Sequence, residues 1–279
     1  LYDWIHAAYP QGKWAARASW YYWINFPLWM ASLAVMCPEL LRDITGRQMG
    51  TIASLAVQLL FIWIVTLIAC YPVCDSIVIL NVSAVIKILL ALLVGGLGVW
   101  YISRYGFVND MSARTFLPSF DLTSLSYISV IIFNFLGFEV VCTFAGSMSE
   151  PKKQIPQSIV TGGIVIAAIY LFSAFGIGAA VDVREISVDS GLIDAVSLIL
   201  GADGGVLVAV VALLFLVTLF GNMISWSMGV NSTAALAADH NDMPRFFAKR
   251  WAKNNMPVGS AVASGVVASG VCILGVLLS

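Results

Sequence analysis

The sequence predicts an all-α integral membrane protein, and three observations predict it. Of its 279 residues, 60% are hydrophobic with glycine left out and only 10% are charged. Soluble domains average about 45–50% apolar with glycine counted and about 25% charged. The apolar residues fall in long unbroken stretches near the roughly 20 residues that cross the hydrocarbon layer. They do not alternate as barrel strands do. The formal net charge is −1, so no basic face is offered to nucleic acid.

Seven stretches have spanning length: 15–37, 50–71, 76–102, 124–147, 156–181, 205–232 and 257–279. Each reads as a helix, because a chain in lipid must satisfy its backbone polar groups within itself. The loops between them leave no room for a soluble domain, so 1–279 reads as one transmembrane domain. The chain starts Leu1-Tyr2-Asp3-Trp4 without an initiator methionine or signal peptide and stops at Ser279 in or at the end of an apolar run. It is therefore expected to be a piece of a longer protein.

The first span is aromatic at Trp20, Tyr21, Tyr22, Trp23, Phe26 and Trp29; part of this run suits an interfacial belt, and Pro27 is expected to kink the helix. The second carries Gln58, and a turn at Tyr71–Asp75 follows it. The third carries Lys87 between Ile86 and Ile88, with Ser83 a turn earlier. An ionisable group at membrane depth is a functional candidate by default, and burial disfavours its charged form. Lys87 is thus either a proton carrier or a static tether between helices.

The fourth span contains Asn134, Gly137 and Glu139 within Phe133-Asn134-Phe135-Leu136-Gly137-Phe138-Glu139. That pattern suits a helix that breaks near the midplane, where transporters build substrate sites. It also suits a close-packing glycine beside a paired glutamate. Next comes Ser149-Glu150-Pro151-Lys152-Lys153-Gln154-Ile155-Pro156, read as two prolines bracketing a short basic turn. Glycines at 95, 96, 98, 162, 163, 176 and 178 read as close helix contacts. In the sixth span Asn222, Ser225 and Trp226 share one face. Trp226 could close over a substrate or simply pack in the core.

Eight of the 14 Lys and Arg lie on one side of the membrane: Lys13, Arg17, Lys152, Lys153, Arg245, Lys249, Arg250 and Lys253. Five lie on the other: Arg42, Arg47, Arg104, Arg114 and Arg184. By the positive-inside rule the loops at 71–75, 148–156 and 238–257 are cytoplasmic, and the acidic 182–203 loop faces out. Cys37, Cys70, Cys74, Cys142 and Cys272 show no disulfide framework, and two histidines with scattered cysteines make no metal site.

The motifs Phe135-Leu136-Gly137-Phe138-Glu139 with 149–156, Ala237-Ala238-Asp239-His240-Asn241-Asp242-Met243-Pro244 with Phe247, Lys249 and Pro257-Val258, and Leu1-Tyr2-Asp3-Trp4 with Trp20–Trp23 resemble amino acid permeases of the amino acid–polyamine–organocation superfamily. They occur in family order along essentially the whole chain. The resemblance implies an inverted-repeat transporter fold of twelve helices, of which this chain would hold the third to the ninth.

The resemblance to the arginine/agmatine antiporter branch implies roles residue by residue. Phe133 would stand at a gate aromatic, Asn134 at a polar contact, Leu136 at an apolar contact and Glu139 at a gating glutamate. Trp226 would be an aromatic lid and Tyr22 a gate tyrosine. Met30 would occupy a substrate-facing position where that branch has asparagine, a departure that puts a guanidinium-type substrate in doubt. Ile224-Ser225-Trp226 also looks like the glutamate/GABA antiporter branch. Lys87 resembles a lysine of proton-coupled, sodium-independent members.

The expected function is secondary amino acid transport by alternating access, as proton symport or as exchange, with no enzyme activity and no cofactor beyond the coupling proton. Phe133 and Trp226 would close over the substrate, and Asn134 with the Phe135–Gly137 backbone would hold its polar end. Expected partners are an amino acid or its amine derivative and the lipid bilayer, with a homodimer left open. The alternative of another class is a seven-helix receptor or photoreceptor. It fits poorly, because Lys87 lies in the third span rather than the last.

Overall fold

The computed structural model describes residues 1–71, 73–112, 148–186, 191–201 and 205–278, with isolated positions between 114 and 146. Among these residues eight α-helices follow in order: α1 (Tyr2–Ala8), α2 (Trp14–Thr45), α3 (Thr51–Ala69), α4 (Val73–Tyr105), α5 (Pro151–Ala180), α6 (Gly191–Leu200), α7 (Gly205–Asp239) and α8 (Val258–Leu278). Six of them (α2–α5, α7 and α8) are long and apolar enough to cross a membrane. Six of the seven expected stretches overlap such helices; the seventh, 124–147, falls mostly outside the described residues.

Several boundaries differ from the sequence expectation. Helix α2 runs through both Pro27 and Pro38 to Thr45, where Gly46 ends it in the left-handed conformation. The turn expected at Tyr71–Asp75 is shorter, since α4 starts at Val73. Pro151 is the first residue of α5 and Pro156 lies inside it, so Lys152 and Lys153 sit in a helical first turn rather than in a turn between prolines. A proline at the first helical position loses nothing, because its N–H would have no partner. The 182–203 loop contains α6, whose Ile193, Ala195, Val196 and Ile199 are buried. Ten residues are too few to span a membrane, and flanking aspartates concealed the helical period.

The chain divides into two compact units. The first comprises Leu1–Lys87 and Ala209–Ser279, the second Ile88–Val208. The first unit is built on α2, α3, α7 and α8, which meet through small and polar groups. Trp23 Nε1 on α2 donates to Ser264 Oγ on α8 at 3.0 Å, and Ser264 Oγ donates to Asn231 Oδ1 on α7 at 3.2 Å. Ser260 Oγ donates to the Asn231 carbonyl at 3.0 Å. Three helices are thereby joined where hydrocarbon offers no competing partner. Gly265 allows α8 against α3: a methyl there would meet Thr66 Oγ1 at 2.7 Å.

At one end of this unit α1 docks beside the end of α7. Buried Tyr2 donates to Asp242 Oδ2 at 2.7 Å, and its ring lies 5.8 Å from His6 and 4.9 Å from His240. Burial, and then the Asp242 carboxylate, push the Tyr2 hydroxyl up to about 12. Arg250 donates to both carboxylate oxygens of Asp239 from its two terminal guanidinium nitrogens.

In the second unit α4 and α5 touch backbone to backbone. A methyl on Gly98 would meet the Gly176 carbonyl oxygen at 2.1 Å, and Ser173 Oγ donates to the Ala91 carbonyl at 2.9 Å. Gly95 and Gly176 are equally confined, whereas Gly96, Gly162 and Gly178 border open space. Ala180, Val181, Ala195 and Ile199 form the core beneath α6.

Candidate functional site

Helix α4 approaches α7 in the first unit because one residue there has no side chain. A Cβ on Gly221 would stand 1.9 Å from Ser83 Oγ and 2.3 Å from Ser83 Cβ. Ser83 fits into that gap and donates to the Val217 carbonyl at 3.4 Å. One turn along α4, Lys87 Nζ donates to Asn222 Oδ1 at 3.0 Å. The intramembrane ammonium is therefore held by an amide oxygen on another helix. An amide oxygen accepts without carrying charge, so this link does not neutralise the ammonium.

Four residues along α7 from Asn222 stands Trp226, half-buried against α2. Its ring centroid lies 6.1 Å from that of Tyr22 at 42° and 5.3 Å from that of Trp29 at 82°, edge to face. Tyr22 and Trp29 are seven residues apart on α2, two helical turns, so they clasp the indole from one face of that helix. Edge-to-face pairing is the favoured aromatic geometry. Asn222 and Trp226 share a face by their i, i+4 spacing, so the polar link and the aromatic clasp stand one turn apart on one helix.

Of the sequence candidates, Tyr22 and Trp226 are brought together and Lys87 is placed against Asn222. Met30 is 1% exposed and packs in the interior of the first unit. Gly137 is a turn residue with φ 110°, a backbone angle that excludes an α-helix at that residue and favours glycine. Phe133, Asn134, Phe135, Leu136 and Glu139 lie outside the described residues.

Three pairings were not read from the sequence: Asn222 with Lys87, Trp29 edge-on to Trp226, and Gly221 with Ser83 as the spacer. The signal for Asn222 was present in its shared face with Trp226. No one-dimensional signal pairs Gly221 with Ser83, more than a hundred residues away.

The sequence profile of the amino acid permease family matches residues 1–279. Over 278 residues the chain is 56% identical to "Probable agmatine/putrescine antiporter AguD" of Lactococcus lactis subsp. lactis, covering all of this chain and 59% of that protein. It is 23% identical over 273 residues to an uncharacterized transporter of Legionella pneumophila subsp. pneumophila, covering 96% of this chain and 58% of that one. It is 24% identical over 161 residues to the glutamate/gamma-aminobutyrate antiporter of Lactococcus lactis subsp. cremoris, covering 56% of this chain and 32% of that one. The chain thus spans less than two thirds of the length of the relatives it matches.

Proposed function

The chain belongs to the amino acid permease family, and on that premise we propose that it forms the central part of a secondary transporter exchanging small cationic amines across the cell membrane by alternating access. The observation that carries this is the Lys87–Asn222 link one turn from the Trp226 clasp. Both meet on α7, the Lys87 ammonium reaching it from α4 and the Tyr22–Trp29 pair from α2, which suits a coupling proton beside an aromatic lid.

Agmatine and putrescine are the substrates we favour. The support is the 56% identity to a relative bearing those names, and it outweighs the doubt raised by Met30. In this proposal Trp226 closes over the alkyl chain of the amine, with Tyr22 and Trp29 setting the indole's angle. Aromatic faces attract ammonium and guanidinium groups by about 0.5–1 kcal/mol at exposed sites and more when desolvated. Lys87 loses its proton in one part of the cycle and regains it in the other, with Asn222 holding the nitrogen throughout. Its ammonium stands in place of a sodium ion, so sodium is not required. Glu139 and the 133–137 segment complete the site from the fourth span, and the loops at 71–75, 148–156 and 238–257 face the cytoplasm.

A seven-helix receptor or photoreceptor is not favoured, because the permease profile covers the whole chain.

The test is counterflow. Proteoliposomes of the full-length protein are loaded with unlabelled putrescine and offered labelled agmatine, putrescine, arginine, glutamate or γ-aminobutyrate, with and without a proton gradient. Accumulation of agmatine and putrescine above the acidic substrates, reduced in Trp226→Ala, supports the proposal. Accumulation of glutamate or γ-aminobutyrate instead, or no counterflow from correctly inserted protein, overturns it.

A further inference from the structure

At the end of α5 far from Lys152 and Lys153, the second unit contains a cavity of about 700 Å³, within the roughly 300–1,000 Å³ of small-molecule sites. One wall is a helical stripe that includes Leu171, Phe175 and Gly178. The other is the segment after α4, with Asn109, Asp110 and Thr115.

The loop wall is built rather than loosely apposed. Val108 N–H donates to the Ala179 carbonyl at 3.0 Å, and Asn109 Nδ2 donates to the carbonyls of Gly178 at 2.8 Å and Val181 at 2.6 Å. These are acceptors that the end of a helix leaves without intrahelical partners. Asp110 is fixed in turn, accepting from Ser112 N–H at 2.9 Å and from Ser112 Oγ at 3.0 Å. Its carboxylate keeps spare lone pairs, and it is the only ionisable side chain among the described lining residues.

The position of this cavity along α5 decides what it would hold. The helix has 30 residues, about 45 Å at its rise per residue, which exceeds the roughly 30 Å hydrocarbon layer. The lining stretch of α5 reaches Gly178, two residues from the helix end at Ala180, and Asp182, Arg184 and Glu185 follow directly, which sets the cavity where α5 leaves hydrocarbon for headgroups. Leu171 and Phe175 are 73% and 41% exposed on the membrane-ward side, and the carboxylate lies at the water-ward end. A small hydrophilic amine matches only the second of these; a ligand with a cationic head and an apolar body matches both.

We propose that this cavity is a lipid site for a phospholipid whose headgroup carries a primary ammonium. The ammonium donates to Asp110, and the first part of an acyl chain lies along Leu171 and Phe175. Arg114, exposed next to the lining residue Thr115, is a cation available to the phosphate. A headgroup of net negative charge has no such match at Asp110, and a quaternary ammonium cannot donate a hydrogen bond.

The full-length protein, purified in detergent, tests this by native mass spectrometry and thermal unfolding with phosphatidylethanolamine, phosphatidylcholine, phosphatidylglycerol or free ethanolamine. Phosphatidylethanolamine is expected to be retained about threefold to fivefold over the other two lipids, the ratio given by a partly exposed ion pair. In Asp110→Asn that preference should fall to parity, and asparagine can still accept from Ser112 N–H, which keeps the turn. In Phe175→Ala retention of all three lipids should fall together. Equal retention of the lipids by the wild-type protein, a preference unchanged in Asp110→Asn, or stabilisation by free ethanolamine equal to that by the lipid would each overturn the proposal.

Discussion

Gly221→Ala tests the spacing on which the polar link depends. The new methyl would stand 2.3 Å from Ser83 Cβ, and ordinary contact begins at 3.4 Å, so the two helices must part locally by about 1.1 Å. Ser83 cannot swing aside without giving up the Val217 carbonyl, and its Cβ cannot swing at all. Parting by that amount takes the 3.0 Å Lys87–Asn222 bond to about 4 Å, beyond hydrogen-bond reach. Overpacking of this kind costs about 1–3 kcal/mol, and a hydrogen bond to a charged group contributes about 1.5–3 kcal/mol.

Counterflow in proteoliposomes should therefore fall on the order of tenfold, with the loss concentrated in the gradient-driven component. Ser83→Gly removes the obstructing Cβ, so Gly221→Ala with Ser83→Gly should recover most of what Gly221→Ala loses. The coupling between the two changes should be about 1 kcal/mol or more, within the range for residues in contact. Strictly additive losses in the double variant would refute the contact and the spacing argument with it.

Three further expectations can be checked on the same preparation. Lys87→Ala should abolish the effect of a proton gradient on exchange, and full retention of pH dependence would remove Lys87 from the coupling mechanism. Trp226→Ala gives up two ring contacts, each worth about 0.5–1.5 kcal/mol, and should raise the half-saturating amine concentration on the order of tenfold. Trp226→Phe should lose less, and equal losses would mean that ring contact is not what matters. The native Tyr2 hydroxyl holds its proton more tightly than the unfolded one, which titrates near 10.0. Its contribution is complete below pH 10 and is lost as pH rises towards 12; Tyr2→Phe should flatten that alkaline limb of thermal stability, and an unchanged limb would contradict the Asp242 tie.

Much of this protein is legible one residue at a time. The six described membrane-length helices are visible as apolar runs, because lipid excludes any segment that does not bond its own backbone. Lys87 announces itself by its cost in such a run, and Trp226 by the face it shares with Asn222. The ends of helices were less legible, since α2 continues past 37 into charged residues that read as loop and α7 past 232 through small residues to Asp239. Helix α6 is hard to see in the sequence because its ten residues fall short of spanning length and stand within an acidic loop.

Composition and hydrophobic run length determined that the chain lives in a membrane and where it crosses, because burial in hydrocarbon is priced residue by residue. Which residues meet was decided only by tertiary structure. Whether Gly221 is a spacer or an idle small residue depends on Ser83 arriving opposite it. That Lys87 meets the neutral amide of Asn222 rather than a carboxylate depends on α4 and α7 meeting at this register. The packing of Tyr22 and Trp29 against Trp226 likewise needs α2 and α7 at one angle and register. Pairwise contacts between distant segments follow from helix packing, and packing depends on shapes that no single segment carries.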